Sequence, residues 1–149
     1  WNAQKRPPSR MKHVFRCMRA RYGEHLTAGL QEVPKWPLSA GRHFACRTQL
    51  GKRCAIVMPV ALASDITWEK HDDSYSIVTV ADCIFISLHL TDYQRHSTVD
   101  RGTLDLLACD LVHADSVVVR SGRNPKKFLL MDANVSFNHE ITDLIGPSR

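Results

Sequence analysis

The sequence lacks the features that commit a chain to a membrane or to a disulfide scaffold. Its longest apolar run without a charged residue is 54–63, which is too short to span a bilayer and contains Pro59. No charged segment followed by an apolar stretch and a small-residue cleavage site opens the chain. The 5 cysteines are odd in number and include no Cys-x-x-Cys pair. We therefore predict reduced, packed thiols in an intracellular protein, nuclear or cytoplasmic. A zinc site at His43, Cys46 and Cys54 would fit no common ligand spacing.

Internal repeats and low-complexity tracts are also missing, and the main compositional asymmetry is one of charge. Residues 1–53 contain twelve Lys/Arg and two acidic residues, whereas residues 54–149 contain eight Lys/Arg and thirteen acidic residues. A basic half can attract a polyanion by releasing its counterions. A solvated basic helix face explains the same charge equally well. Charge alone therefore leaves nucleic-acid binding open.

Hydrophobic periodicity predicts helices and strands within one domain that spans 1–149. Helical spacing covers residues 9–22 and 97–114, and short apolar runs between turn residues predict strands. The predicted strands are 27–33, 43–49, 54–59, 74–80, 83–90 and 127–133. This order is typical of a mixed α/β layered protein whose helices cover sheets.

Polar residues at the predicted strand ends suit the cleavage of a phosphodiester. They are Asn2, Glu32, His89, Asp132 and Asn134. Glu32 offers an oxygen ligand to a hard cation, and such a cation polarises a phosphate. Further groups must activate the attacking water and protonate the leaving oxygen. Taken singly, each residue is better explained without a function: Glu32 as a solvated strand end and His89 as a half-buried histidine bonded to backbone. Asp132 and Asn134 would then form the turn after a strand.

Four short motifs in this order resemble the endonuclease/exonuclease/phosphatase superfamily, the DNase I-like metal-dependent phosphodiesterases. The motifs are Trp1-Asn2, Leu30-Gln31-Glu32, His89-Leu90 and Met131-Asp132-Ala133-Asn134. The resemblance implies an α+β fold built as a four-layer α/β sandwich, incomplete at its C-terminus. Residues 1–149 would then be a partial domain of this family, such as the endonuclease domain of a non-LTR retrotransposon.

The resemblance also implies a role for each motif residue. Glu32 would bind Mg²⁺ or Mn²⁺ with support from Asn2, and His89 would contact the scissile phosphate. Asp132 would orient or activate the water, and Asn134 would bind phosphate. The implied partner is nucleic acid, favoured over lipid by the basic first half and the lack of secretory features. A phospholipid or inositol phosphate substrate and a non-catalytic copy remain the alternatives, and the oligomeric state is left open.

The chain departs from the family pattern in ways that bear on activity. Met131 and Ala133 replace a Gly and a Phe, and Gln4 stands where repair enzymes of the family have an acid. The family's terminal Ser-Asp-His-type motif has no counterpart, since the only histidine after Asn134 is His139, too near the fourth motif. We therefore expect a fragment with little or no nuclease activity alone. We also expect an exposed sheet edge where further strands would pair.

Overall fold

A computed structural model of the chain describes residues 8–23, 25–33, 41–90 and 93–132. For residues 8, 9, 93–100 and 132 it describes the backbone only. Within these ranges the chain forms an α+β fold of three helices and two sheets. In chain order the elements are α1 (Pro8–Tyr22), β1 (Ala28–Leu30), β2 (Phe44–Arg47), β3 (Ala55–Pro59), α2 (Val60–Ala63), β4 (Ile66–His71), β5 (Tyr75–Val80), β6 (Cys83–His89), α3 (Tyr93–Arg120) and β7 (Lys126–Asp132).

The two sheets differ in their strand pairing. The first sheet has the order β1-β3-β2, and both of its pairs are antiparallel. The second sheet has the order β4-β5-β6-β7. Its first two pairs are antiparallel, whereas β6 and β7 are parallel. Since parallel neighbours need a crossover connection, the long helix α3 joins β6 to β7.

Most of the predicted elements are confirmed. The helix predicted at 9–22 is α1. The predicted strands 43–49 and 54–59 correspond to the antiparallel pair β2–β3, and 74–80 and 83–90 correspond to the antiparallel pair β5–β6. The second helix is longer than the predicted 97–114, because α3 extends over Tyr93–Arg120. The prediction had no counterpart for α2 and β4. Strand β4 alternates half-buried with exposed residues, including charged ones, so its apolar content is too low to be recognised from periodicity.

Three apolar clusters hold the layers together. Met11 and Phe15 of α1 pack on the outer face of the first sheet, against residues such as Leu30 and Phe44. The cluster between the sheets contains Ile56, Met58, Val78 and Val80. The third cluster joins the second sheet to α3 and contains Tyr75, Ile77, Ile84, Ile86, Leu88, Leu90, Leu107, Ala114 and Val118. Each fully buried aliphatic or aromatic side chain stabilises the fold by about 1.5–3 kcal/mol.

Successive side chains of β6 point to opposite faces of the second sheet, one apolar and one polar near the end of the strand. Ile84, Ile86 and Leu88 point into the cluster under α3, as the spacing of two residues predicts. Ser87 and His89 therefore lie on the opposite face, toward the first sheet, and both are buried. This places polar side chains between the sheets at the carboxyl end of β6. A membrane-spanning helix is not found among the described residues.

Candidate functional site

Strands β1, β6 and β7 end close together at one edge of the two sheets. β1 is followed at once by Gln31 and Glu32, while β6 ends at His89 and β7 ends at Asp132. In the parallel ladder His89 and Asp132 are direct Cα partners. The fold thus brings together three segments that are far apart in sequence and that carry three of the predicted site residues.

The contact between the first and second sheets at this edge is made by Glu32 and His89. Oε1 of Glu32 lies 3.9 Å from Nε2 of His89, which is within ion-pair range and longer than a hydrogen bond. The His89 side chain is 5% exposed and that of Glu32 is 33% exposed. The carboxylate therefore reaches solvent, while the imidazole lies beneath it.

The imidazole of His89 has unused hydrogen-bonding capacity. Its Nδ1 atom is buried and has no partner among the described residues. The His89 backbone is fixed, because its N–H donates to the carbonyl oxygen of Ser74 at 2.8 Å. Buried polar atoms normally have a partner, so an orphaned ring nitrogen beside a carboxylate needs an explanation. A bound ligand or an ordered water would supply one.

Glu32 has an unusual backbone conformation for its residue type. Its φ of 52° lies in the left-handed region, which non-glycine residues adopt at a cost of about 1–2 kcal/mol. This conformation ends β1 earlier than the predicted strand 27–33. The residue after it is held in place, because the N–H of Val33 donates to the carbonyl oxygen of Arg53 at 2.9 Å. Such strained residues cluster at functional sites.

A buried polar network behind Glu32 joins the sheets. The side-chain amide of Gln31 donates to Ser87 Oγ at 3.2 Å and to the carbonyl oxygen of Leu130 at 3.1 Å. The Ser87 hydroxyl in turn donates to the carbonyl oxygen of Leu30 at 3.0 Å. Each bond contributes about 1 kcal/mol, and each buried group left without its partner costs about 1–3 kcal/mol. The network therefore fixes Gln31, which directly precedes Glu32, and Ser87, which lies two residues before His89.

Gln31 and Ser87 were not predicted to belong to the site. In the sequence, Gln31 is the middle residue of the Leu30-Gln31-Glu32 motif, and Ser87 lies two residues before His89 on the same face of its strand. The signal that could have identified them is a polar residue inside an otherwise apolar strand, since such residues must find partners when buried. Which partners they find depends on how the sheets pack, and periodicity does not contain that information.

Cys54 is buried beside this network and has no nucleophilic character. Its thiol donates to the carbonyl oxygen of Ser74 at 3.1 Å, and burial raises its pKa to about 12. Burial likewise raises the pKa of Cys46 to about 12. Both thiols are therefore protonated at neutral pH. In the described part of the chain, no group of three or more His, Cys, Asp or Glu residues is arranged to hold a metal. His43, Cys46 and Cys54 therefore do not form such a group.

The predicted site residues have different outcomes. Glu32 and His89 are in contact, and the backbone of Asp132 lies beside His89 in the ladder. Asn2 and Asn134 lie outside the described residues. No protein-family model matches this sequence, and a search of curated proteins finds no significant relative.

The chemistry of Glu32 is compatible with the predicted cation. Mg²⁺ usually keeps several of its waters and is held by one or two carboxylates together with substrate phosphates. A single partly exposed carboxylate at a strand end meets that minimum, and the imidazole of His89 lies 3.9 Å from it. Solvent reaches the Glu32 carboxylate, whose side chain is 33% exposed.

Proposed function

We propose that this chain carries the metal- and phosphate-binding part of a phosphodiesterase that acts on nucleic acid. The observation that supports the proposal most directly is the contact between Glu32 and His89, with Asp132 in the ladder position next to His89. A carboxylate, an imidazole and a second acidic residue at one sheet edge are groups of the kind that phosphodiester hydrolysis uses.

The roles follow from chemistry and from the resemblance to the endonuclease/exonuclease/phosphatase superfamily. Mg²⁺ or Mn²⁺ bound at Glu32, with support from Asn2, would neutralise charge on the scissile phosphate. The orphaned nitrogen of His89 gives the ring a second polar atom for a proton or a hydrogen bond. Asp132 would orient the attacking water, and Asn134 would bind a phosphate oxygen.

The packing order also supports the family reading. Apolar clusters join α1 to the first sheet, the first sheet to the second, and the second sheet to α3. This order is the one expected of the four-layer α/β sandwich of DNase I-like proteins. Function does not follow from architecture, so the site must carry the functional argument.

Two alternatives to this proposal are a non-catalytic domain and a different substrate class. A non-catalytic copy of such a domain would retain the same packing without turnover. A phospholipid or inositol phosphate is the alternative substrate class, since it too presents a phosphodiester or phosphate. The excess of Lys and Arg in residues 1–53 favours a polyanion such as nucleic acid.

Metal binding provides the first test. We expect Mn²⁺ to bind the wild-type chain in calorimetry and to bind Glu32→Gln much more weakly, because the substitution removes the charged ligand. Asp105→Asn is the matched control, since Asp105 is an exposed carboxylate on α3. Equal Mn²⁺ affinity in the wild type and Glu32→Gln would overturn the proposed metal site.

Catalysis and substrate class require separate assays. Nicking of supercoiled plasmid in Mg²⁺ is expected to be weak for this chain alone, because the terminal Ser-Asp-His-type motif has no counterpart. Robust nicking that Glu32→Ala and Asp132→Ala abolish would establish the phosphodiesterase and refute the expected inactivity. Faster hydrolysis of a phospholipid or inositol phosphate than of DNA or RNA would reassign the substrate.

A further inference from the structure

A second feature of the structure, away from the candidate site, is a groove between α1 and the start of β2. The groove encloses about 230 Å³. Its floor contains Phe15 and Phe44, and its rim is basic. The rim residues are Lys12, Arg16, Arg19, Arg42 and His43. We call it the α1 groove.

Among the cations of the α1 groove, Lys12 and Arg16 have little compensation. None of the described residues that line the groove is acidic. Lys12 and Arg16 form no ion pair with any residue that the structure describes, and Arg42 donates from Nε to Nε2 of His43 at 3.0 Å. Like charges four residues apart on a helix, as in Lys12 and Arg16, destabilise it. An anion bound in the groove would remove that repulsion.

The floor of the groove limits the kind of anion contact. Phe15 and Phe44 are 4% and 5% exposed, so neither ring has a free face on which a base could stack. The exposed groups are the ammonium and guanidinium ends, which bind phosphate oxygens. We propose that the α1 groove binds the phosphate backbone of nucleic acid independently of base sequence.

The groove and the candidate site lie at opposite ends of β3. Ala55 pairs with Leu30, the last residue before the Gln31–Glu32 segment, whereas Pro59 pairs with Phe44 at the groove. Four residue steps along a strand correspond to about 13 Å. The groove is therefore a separate anchoring point for the same substrate class. The choice of nucleic acid as the ligand of the groove rests on the proposed function, whereas the groove itself does not.

The test is a binding measurement that does not depend on the metal site. A short fluorescein-labelled DNA duplex is titrated with protein in EDTA, and the anisotropy is followed at several salt concentrations. The variant is Lys12→Gln combined with Arg16→Gln. The matched control is Arg10→Gln combined with Arg21→Gln, which removes the same charge from exposed positions on the opposite side of α1.

The groove variant is expected to bind DNA several-fold more weakly at low salt, and the slope of log K against log salt should fall by about 2 because two phosphate contacts are lost. The control should keep both its affinity and its slope. Equal losses in the two variants would overturn the proposal, as would a wild-type chain that does not bind the duplex.

Two further measurements separate this proposal from the others. Tighter binding to phosphatidylserine vesicles than to the duplex would overturn the assignment to nucleic acid. The groove variant should keep the circular-dichroism spectrum and the Mn²⁺ affinity of the wild type, because neither substituted side chain lies near Glu32. If the chain binds Mn²⁺ but not DNA, the proposed role of the α1 groove is refuted and the proposed metal site stands. If it binds DNA but not Mn²⁺, only the proposed metal site is refuted.

Discussion

Gly29 lies so close to Leu130 that a Cβ atom on the glycine would be 2.7 Å from the Cβ of the leucine. The same atom would be 3.1 Å from Ser87 Oγ and 3.3 Å from Nε2 of Gln31. The backbone of β1 therefore contacts the second sheet directly, and only a residue without a side chain permits this approach. The close approach is what lets the polar network behind Glu32 form.

We expect Gly29→Ala to destabilise the fold by about 1–3 kcal/mol, because the added methyl group overpacks a contact whose neighbour is a Cβ atom attached to the backbone. Gly102→Ala is the matched control. Gly102 lies within α3, where an added Cβ meets nothing within 4 Å. It should stabilise the helix by about 0.5–1 kcal/mol. Chemical denaturation of both variants measures the difference, and equal effects would contradict the close approach.

Much of the fold could be predicted from sequence because hydrophobic spacing determines which face of each element is buried. The alternation in β6 correctly placed Ile84, Ile86 and Leu88 in the core. Periodicity could not predict β4, whose polar and half-buried residues lack a continuous apolar face. It also could not predict the length of β1, since the left-handed backbone at Glu32 ends that strand.

The candidate site was predictable only as a set of residue types at strand ends. That Glu32 and His89 would come into contact depends on how the two sheets stack, and sheet stacking is a long-range property that local patterns do not encode. The supporting roles of Gln31, Ser87 and Gly29 have the same origin. Their partners belong to strands on the other sheet, so a local reading of the sequence could not pair them.

The stability of the chain should depend on pH through His71. Burial lowers the pKa of His71 below its ordinary value of 6.5, and the neighbouring Glu69 carboxylate only partly opposes this effect. The unfolded chain therefore binds a proton more readily than the folded chain, and stability should fall as the pH decreases below about 6.5. His71→Gln should flatten this part of the profile, because it removes the group whose pKa burial lowers.

Glu69 should add a second loss of stability at lower pH. A hydrogen bond from Arg47 lowers the pKa of Glu69 below its ordinary value of 4.5, and Nε of Arg47 donates to Oε2 at 2.8 Å. The stabilisation is present above that ordinary pKa and is lost as the pH falls through the lowered one. Urea denaturation between pH 7.5 and pH 3 measures both losses. A flat wild-type profile would contradict the effect of burial on His71.

The edge strand β7 should make the chain prone to association. Among the strands that the structure describes, β7 is one of the two outer strands of the second sheet, and its Phe128 and Leu129 are 45% and 48% exposed. We expect Leu129→Lys to reduce concentration-dependent light scattering, because a charge on an edge strand opposes pairing with another chain. Leu106→Lys is the control, since Leu106 is equally apolar, exposed and located on α3. A wild-type chain that stays monomeric with a sharp thermal transition would refute this prediction.

The left-handed backbone at Glu32 allows stability and function to be separated. Ala81, in the turn between β5 and β6, has a similar φ of 54° and belongs to no proposed site. A glycine at either position removes a strain of about 1–2 kcal/mol and adds about 0.5–1 kcal/mol of chain entropy cost, so Glu32→Gly and Ala81→Gly should both stabilise the fold slightly. Only Glu32→Gly should lose Mn²⁺ binding in calorimetry. If Ala81→Gly stabilises the fold and Glu32→Gly weakens it, the contact with His89 contributes to stability, and the argument from strain to function fails.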